Sequence, residues 1–210
     1  MTGRSASYRG EGGLLGVEAS AALGCGSDKE YAGGMRYVEL FRHTDNDGDT
    51  LTSEGIAAAE AIGRQRLNPP YVLFGSTGAD RATQMVEILR RAAGQDDVPI
   101  TEVPALRSSV EDRWREAAKS AGKGATVERM GSVDPDLIEK ESMLLSGALR
   151  TVFHALPDGG RALVVGHSPT NEAAVLGLVG EVVDPLGKGD AVLVVEDQGR
   201  FQVHPMPGVE

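Results

Sequence analysis

Ala162-Leu163-Val164-Val165-Gly166-His167-Ser168-Pro169 is the stretch on which the reading of this chain turns. Four consecutive apolar residues follow the turn Asp158-Gly159-Gly160, and they have the length and β-branched content of a strand buried on both faces. A histidine comes at once after the strand, and Ser168-Pro169 opens a helix that ends at Gly180. Buried strand, polar turn and helix together form the unit of a parallel α/β sheet. In such sheets ligands collect beyond the carboxyl ends of the strands.

The same unit recurs upstream. Arg36-Tyr37-Val38-Glu39-Leu40-Phe41 alternates as a strand and runs into Arg42-His43-Thr44. Thr52 or Ser53 caps a helix to about Leu67, which Asn68-Pro69-Pro70 stops. Tyr71-Val72-Leu73-Phe74 is a second short buried strand, and Ser76-Thr77-Gly78-Ala79-Asp80-Arg81 follows it. Ala82, Met85, Val86 and Leu89 recur at helical spacing, so a helix is predicted from Asp80 to about Ala93. Pro99 to Val103 is a weaker strand. Asp134-Pro135 is an N-cap and first-turn proline for a helix carrying Leu137, Leu144, Leu145, Ala148, Val152 and Leu156. Ala191 to Val195 and Phe201 to Val203 close the chain as a hairpin around Asp197-Gln198-Gly199. The alternation predicts a mainly parallel sheet covered on both faces, made mixed by that hairpin.

Composition narrows the functions such a fold can serve. At 210 residues the chain has room for one ordinary α/β domain. Its formal net charge of −10 would repel a nucleic-acid backbone or an anionic membrane, so neither is expected as a partner. The single cysteine, Cys25, rules out an internal disulfide and a zinc site built on several thiolates. No apolar run reaches the ~18 residues of a membrane span. Residues 1–34 hold nine of the 28 glycines without a sustained period and read as a flexible tail, with Met35 as an alternative start. The apolar stretch Leu14–Leu23 is interrupted by Glu18. Ala22 stands where a lipoprotein signal ending at Cys25 would carry a large aliphatic residue. A cytoplasmic domain over residues 35–210 is the expectation, as monomer or homodimer.

If the three main strands are neighbours, Arg42-His43, Arg81 and His167 meet on one edge. Arginine forks match phosphoryl oxygens in bidentate fashion, and the helix starts after Thr77 and Ser168 add backbone donors. A histidine among arginines stays neutral and hence nucleophilic. A different class of function must be weighed for Asp45-Asn46-Asp47-Gly48-Asp49 with Glu54, which is similar to an EF-hand calcium loop. Started at Asp45, the loop has Thr50 at position six and Ile56 at position twelve; started at His43, it has a histidine at position one. The competing reading is an acidic loop that turns tightly at Gly48.

Four blocks taken in order carry a resemblance to a family. Leu40-Phe41-Arg42-His43-Thr44, Leu51-Thr52-Ser53-Glu54-Gly55, Ser76 to Met85, and Leu163 to Pro169 resemble the signatures of the histidine phosphatase superfamily, also called phosphoglycerate mutase-like. The Gly-His-x-Pro form is most similar to its small SixA-like branch, which contains phosphohistidine phosphatases. The resemblance implies a three-layer α/β/α sandwich with a six-stranded, mostly parallel mixed sheet, and a cap made by residues 105–133. It implies that His43 attacks phosphorus, that Arg42, Arg81 and His167 hold the phosphoryl oxygens, and that water then releases phosphate without metal or cofactor. The substrate would be a small phosphorylated metabolite or a phosphohistidine protein. Thr44 and Ser168 would border the phosphate pocket.

Two departures from the family pattern bear on substrate. Thr44 stands where the family has glycine. Ser108 stands where much of the family has the glutamate that acts as general acid, leaving Glu111 as the nearest carboxylate, with Asp112 beside it. SixA-like members can lack this acid when the leaving group is already good. Arg107, Arg113, Arg115, Lys119 and Lys123 in the cap suggest a further anionic group on the substrate. A binding module with little turnover is the alternative on the same fold.

Overall fold

The computed structural model describes residues 34–206, so the tail expected over residues 1–34, with Cys25, lies outside the described residues but for Gly34. The elements are β1 (Arg36–Arg42), β2 (Asn46–Asp47), β3 (Thr50–Leu51), α1 (Ser53–Gln65), β4 (Leu73–Ser76), α2 (Asp80–Ala92) and β5 (Ile100–Glu102). They continue as α3 (Glu111–Ala121), α4 (Val127–Gly131), α5 (Pro135–Ala155), β6 (Arg161–Gly166), α6 (Thr170–Val179), β7 (Ala191–Asp197) and β8 (Arg200–Met206). Six strands form one sheet in the order β5-β4-β6-β1-β7-β8. β4 is parallel to both β5 and β6, and β6 is parallel to β1. β7 and β8 are antiparallel, as the closing hairpin required. This is the expected three-layer sandwich with a mixed, mostly parallel sheet.

The strand pattern divides the core. Val38, Leu40, Ala162 and Val164 face one side and pack on α5 and α6, whereas Phe41, Leu163 and Val165 face the other with Phe74 and the apolar stripe of α2. Successive side chains of a strand point to opposite faces, so a strand buried on both faces must be apolar at nearly every position. α5 and α6 approach closely because Gly177 has no Cβ: one built there would lie 2.1 Å from the Ser142 carbonyl oxygen. Asp134 caps α5 by accepting from Leu137 N–H, with Pro135 in the first turn. Gly180 ends α6 in the left-handed conformation, φ +82°.

One strand boundary shifts, and two segments take the form of a tight turn and of short helices. The second buried strand runs over Leu73–Ser76, two residues later than Tyr71–Phe74. Tyr71 leaves the ladder because its N–H donates to the Gln95 side chain and its hydroxyl donates to the buried Glu39. The acidic loop folds as a two-stranded hairpin, β2 with β3, turning at Gly48 with φ +56°. The segment 105–133 contains helices α3 and α4, and Val127 and Met130 of α4 belong to the main core. No helix among the described residues is long and apolar enough to cross a membrane.

Candidate active site

β4, β6 and β1 are adjacent and parallel, so their carboxyl ends lie on one edge. That edge carries Thr77 after β4, His167 after β6, and Arg42-His43 at the end of β1. Gly166 allows the turn into His167, because a Cβ there would lie 2.4 Å from Asn171 Oδ1. Asn171 in turn donates its Nδ2–H to the Phe41 carbonyl at 2.9 Å, tying the start of α6 to the strand end that bears Arg42 and His43.

His43 is 6% exposed and its Nδ1 lies 2.8 Å from the Thr44 carbonyl oxygen. A carbonyl only accepts, so Nδ1 carries the proton and Nε2 keeps the lone pair. Arg81 Nε–H donates to that Nε2 at 3.2 Å. His167 shows the opposite tautomer. Arg81 Nη2 lies 3.4 Å from its Nδ1, and its Nε2–H donates to Thr77 Oγ1 at 2.9 Å. The two imidazoles meet edge to face with centroids 5.2 Å apart. Burial, with the positive charges of Arg81, Arg42 and Lys188, lowers the His43 pKa to about 4. Burial, with Arg81, His43 and Arg107, lowers that of His167 to about 3. Both rings are neutral near pH 7. A phosphate dianion seated among these cations opposes the shift and favours the protonated, donating form of His167.

Arg81 pairs with Asp49 of the acidic hairpin. Asp45 pairs with Lys188 and accepts from Thr52 Oγ1. The loop carboxylates thus turn to cations on two sides of the site rather than to a common centre, and among the described residues no group of three or more His, Cys, Asp or Glu side chains is placed to hold a metal ion. Arg42 Nη1 donates to the Leu186 carbonyl at 2.5 Å. Thr44 enters the site through its carbonyl, since its hydroxyl is buried without a partner among the described residues. Ser168 donates its hydroxyl to Glu172 at 2.5 Å. Burial pushes the Glu172 carboxyl above the usual carboxylate range, against the hydrogen bonds from Ser168 and Leu186 and the charge of Arg42.

A cavity of about 290 Å³ opens beside this cluster, lined by Arg81, His167 and Ser168 together with Arg107, Glu111 and Arg115. Glu111 therefore shares a cavity with Arg81 and His167, and its Oε1 accepts from Arg107 Nε at 2.7 Å. Trp114 also borders the cavity while donating its indole N–H to Glu141 at 3.3 Å. Arg113 does not reach it: both ends of its fork are bound by Asp134 at 2.5 Å. Of these basic residues, Arg107 and Arg115 line the cavity and Arg113 does not.

Thr77, Lys188 and Glu172 were not assigned side-chain roles from the sequence, and Asp49 was weighed only within the calcium-loop pattern. Thr77 lay inside a recognised block in which Arg81 drew the attention. Glu172 and Lys188 have no pattern in their own segments that marks them out.

No family model matches the chain, and no curated protein matches it. Solved structures do. A phosphoglycerate mutase from Bacillus anthracis str. Sterne is 14% identical with a TM-score of 0.62, covering 84% of this chain and 95% of its own. YhfR of Bacillus stearothermophilus is 17% identical with a TM-score of 0.61, covering 83% and 98%. A protein described as a putative phosphohistidine phosphatase SixA from Agrobacterium tumefaciens is 19% identical with a TM-score of 0.52, covering 83% and 98%. The chain has the phosphoglycerate mutase-like fold.

Proposed function

We propose that this protein is a phosphatase that works through a phosphohistidine on His43 Nε2, without a metal ion. The observation that carries the reading is the tautomer of His43. Its unprotonated Nε2 faces Arg81 inside a cluster that also holds Arg42 and His167. The cluster supplies a nucleophile and the positive charge that phosphoryl transfer requires.

In this reading the substrate phosphoryl group displaces Arg81 from His43 Nε2 and takes its N–H groups. Nε2 attacks phosphorus as the bond to the leaving oxygen or nitrogen breaks. The phosphorylated ring becomes an imidazolium, stabilised by its Nδ1–H bond to Thr44. Arg42, Arg81 and His167 bind the three equatorial oxygens. Glu111 donates a proton to leaving groups that need one. Water then attacks phosphorus, the N–P bond breaks, and inorganic phosphate leaves with Nε2 restored. The neighbours' described activities, a mutase and a phosphohistidine phosphatase among them, agree with a phosphoryl-transfer site. The substrate is a small phosphorylated metabolite or a phosphohistidine protein.

Hydrolysis of para-nitrophenyl phosphate, with and without chelator, tests the reading. The expected result is activity that survives chelator and is lost in His43→Ala, with an acid-labile phosphate adduct on His43 of the parent. Activity that persists in His43→Ala would overturn it. The alternative, a phosphate-binding module with little turnover, draws on Ser108 in the acid's place and the engagement of Glu111 by Arg107. It predicts phosphate binding without hydrolysis of either para-nitrophenyl phosphate or a phosphohistidine peptide.

A further inference from the structure

Glu172, in the first turn of α6, is 2% exposed and has no part in the chemistry above. Burying a carboxyl group is costly unless its hydrogen bonds compensate. The other fully buried acid, Glu39, has both oxygens paired, to Tyr71 and Arg161. Glu172 differs. Its Oε1 accepts from Ser168 Oγ at 2.5 Å and from Leu186 N–H at 2.8 Å, and its Oε2 has no partner among the described residues.

Both groups bound by Glu172 belong to the phosphoryl cluster. Ser168 directly follows His167. Leu186 is the residue whose carbonyl accepts from Arg42 Nη1. The segment around it also embraces the Arg42 backbone: Arg42 N–H donates to Asp190 O, and Gly189 N–H donates to Arg42 O. Arg42 Nε is left buried and unpartnered among the described residues, so Leu186 is the one contact that orients the guanidinium there. The loop that aims Arg42 is thus hydrogen-bonded to α6 through a buried acid.

We propose that Glu172 is a positioning residue of the phosphoryl site: it aims Arg42 through Leu186. This rests on the phosphatase reading and deepens it. Removing the acceptor releases the 186–190 segment from α6, and Arg42 then loses its fixed direction. A displaced guanidinium binds phosphate less well and stabilises the transition state less.

A double-mutant cycle with Arg42 tests this, read by kcat/KM for para-nitrophenyl phosphate and by calorimetric affinity for inorganic phosphate. Glu172→Leu is expected to lower kcat/KM by about 10–100-fold in the parent, the scale of a misaligned catalytic group. In an Arg42→Ala background the same change should cost less than about threefold, because the residue it acts through is gone. Glu172→Gln keeps an oxygen acceptor and should recover most of the loss. Equal losses in both backgrounds, or a Gln variant as impaired as Leu, would overturn the proposal. If Glu172→Leu does not fold, Glu172→Asp replaces it, since its shorter reach also breaks the Leu186 bond. Phosphate affinity reads Arg42 without turnover. A chain that binds phosphate but hydrolyses nothing therefore defeats the phosphatase reading while the cycle still decides the role of Glu172. A chain that binds no phosphate overturns both.

Discussion

Arg81 Nε stands 3.2 Å from His43 Nε2, so a cation covers the lone pair that the proposed mechanism uses for attack. The same guanidinium reaches His167 and pairs with Asp49. In the proposed mechanism Arg81 binds the phosphoryl group, and Asp49 competes with that group for its N–H donors. Asp49→Asn removes the competing charge. KM for a dianionic substrate should fall by about threefold, with kcat nearly unchanged, and the gain should shrink at high salt. A rise in KM would show instead that Asp49 is needed to hold Arg81 in place.

Thr77 accepts the Nε2–H of His167 at 2.9 Å and so selects the tautomer that turns Nδ1 toward Arg81. Thr77→Val keeps the shape and removes the acceptor. In the proposed mechanism, loss of one buried hydrogen bond that orients the His167 ring should cost about tenfold in kcat/KM. Thr77→Ser should restore it. Steady-state kinetics and a melting curve for each variant separate this from general destabilisation.

The two histidines make stability depend on pH. Their folded pKa values of about 4 and about 3 lie below the ordinary 6.5. Between 6.5 and those values the unfolded chain binds protons that the folded site refuses, so stability rises with pH there. The contribution is complete above about pH 6.5 and is lost on acidification through the folded values. His167→Gln has no proton to gain. Its melting temperature should therefore fall less than the parent's between pH 7 and pH 4.5, as followed by circular dichroism. Parallel curves would contradict the lowered pKa of His167.

Glu111 shares one cavity with Arg81 and His167. A general acid matters most for poor leaving groups. Glu111→Gln should slow an alkyl phosphate by about tenfold or more, while para-nitrophenyl phosphate and a phosphohistidine peptide change by less than about threefold. Equal effects on all three substrates would remove Glu111 from proton transfer and leave it as the partner of Arg107.

Much of this architecture was open to reading in one dimension. The apolar run Ala162–Val165, the alternation of β1 and the stripe Ala82-Met85-Val86-Leu89 are local patterns, and local patterns follow from backbone geometry alone. Arg42, His43, Arg81 and His167 were found because each directly follows a strand or opens a helix, where a parallel sheet gathers its ligands. Tyr71 shows the limit of that logic. Its apolar context says strand, yet its hydroxyl is drawn to the buried Glu39 from another strand, and the ladder starts two residues later.

What the sequence by itself determined, then, is the layered α/β class and the residue types that crowd one sheet edge, because periodicity and strand ends are encoded within a dozen residues. Only the tertiary structure decided which nitrogen of each histidine holds the proton, that Arg113 is spent on Asp134, and that Glu172 reaches Leu186. Those outcomes depend on hydrogen bonds between segments far apart in the chain, such as Thr77 with His167 and Arg42 with Leu186. A hydrogen bond has a short range and a preferred direction, so it exists only once packing has set both partners in place.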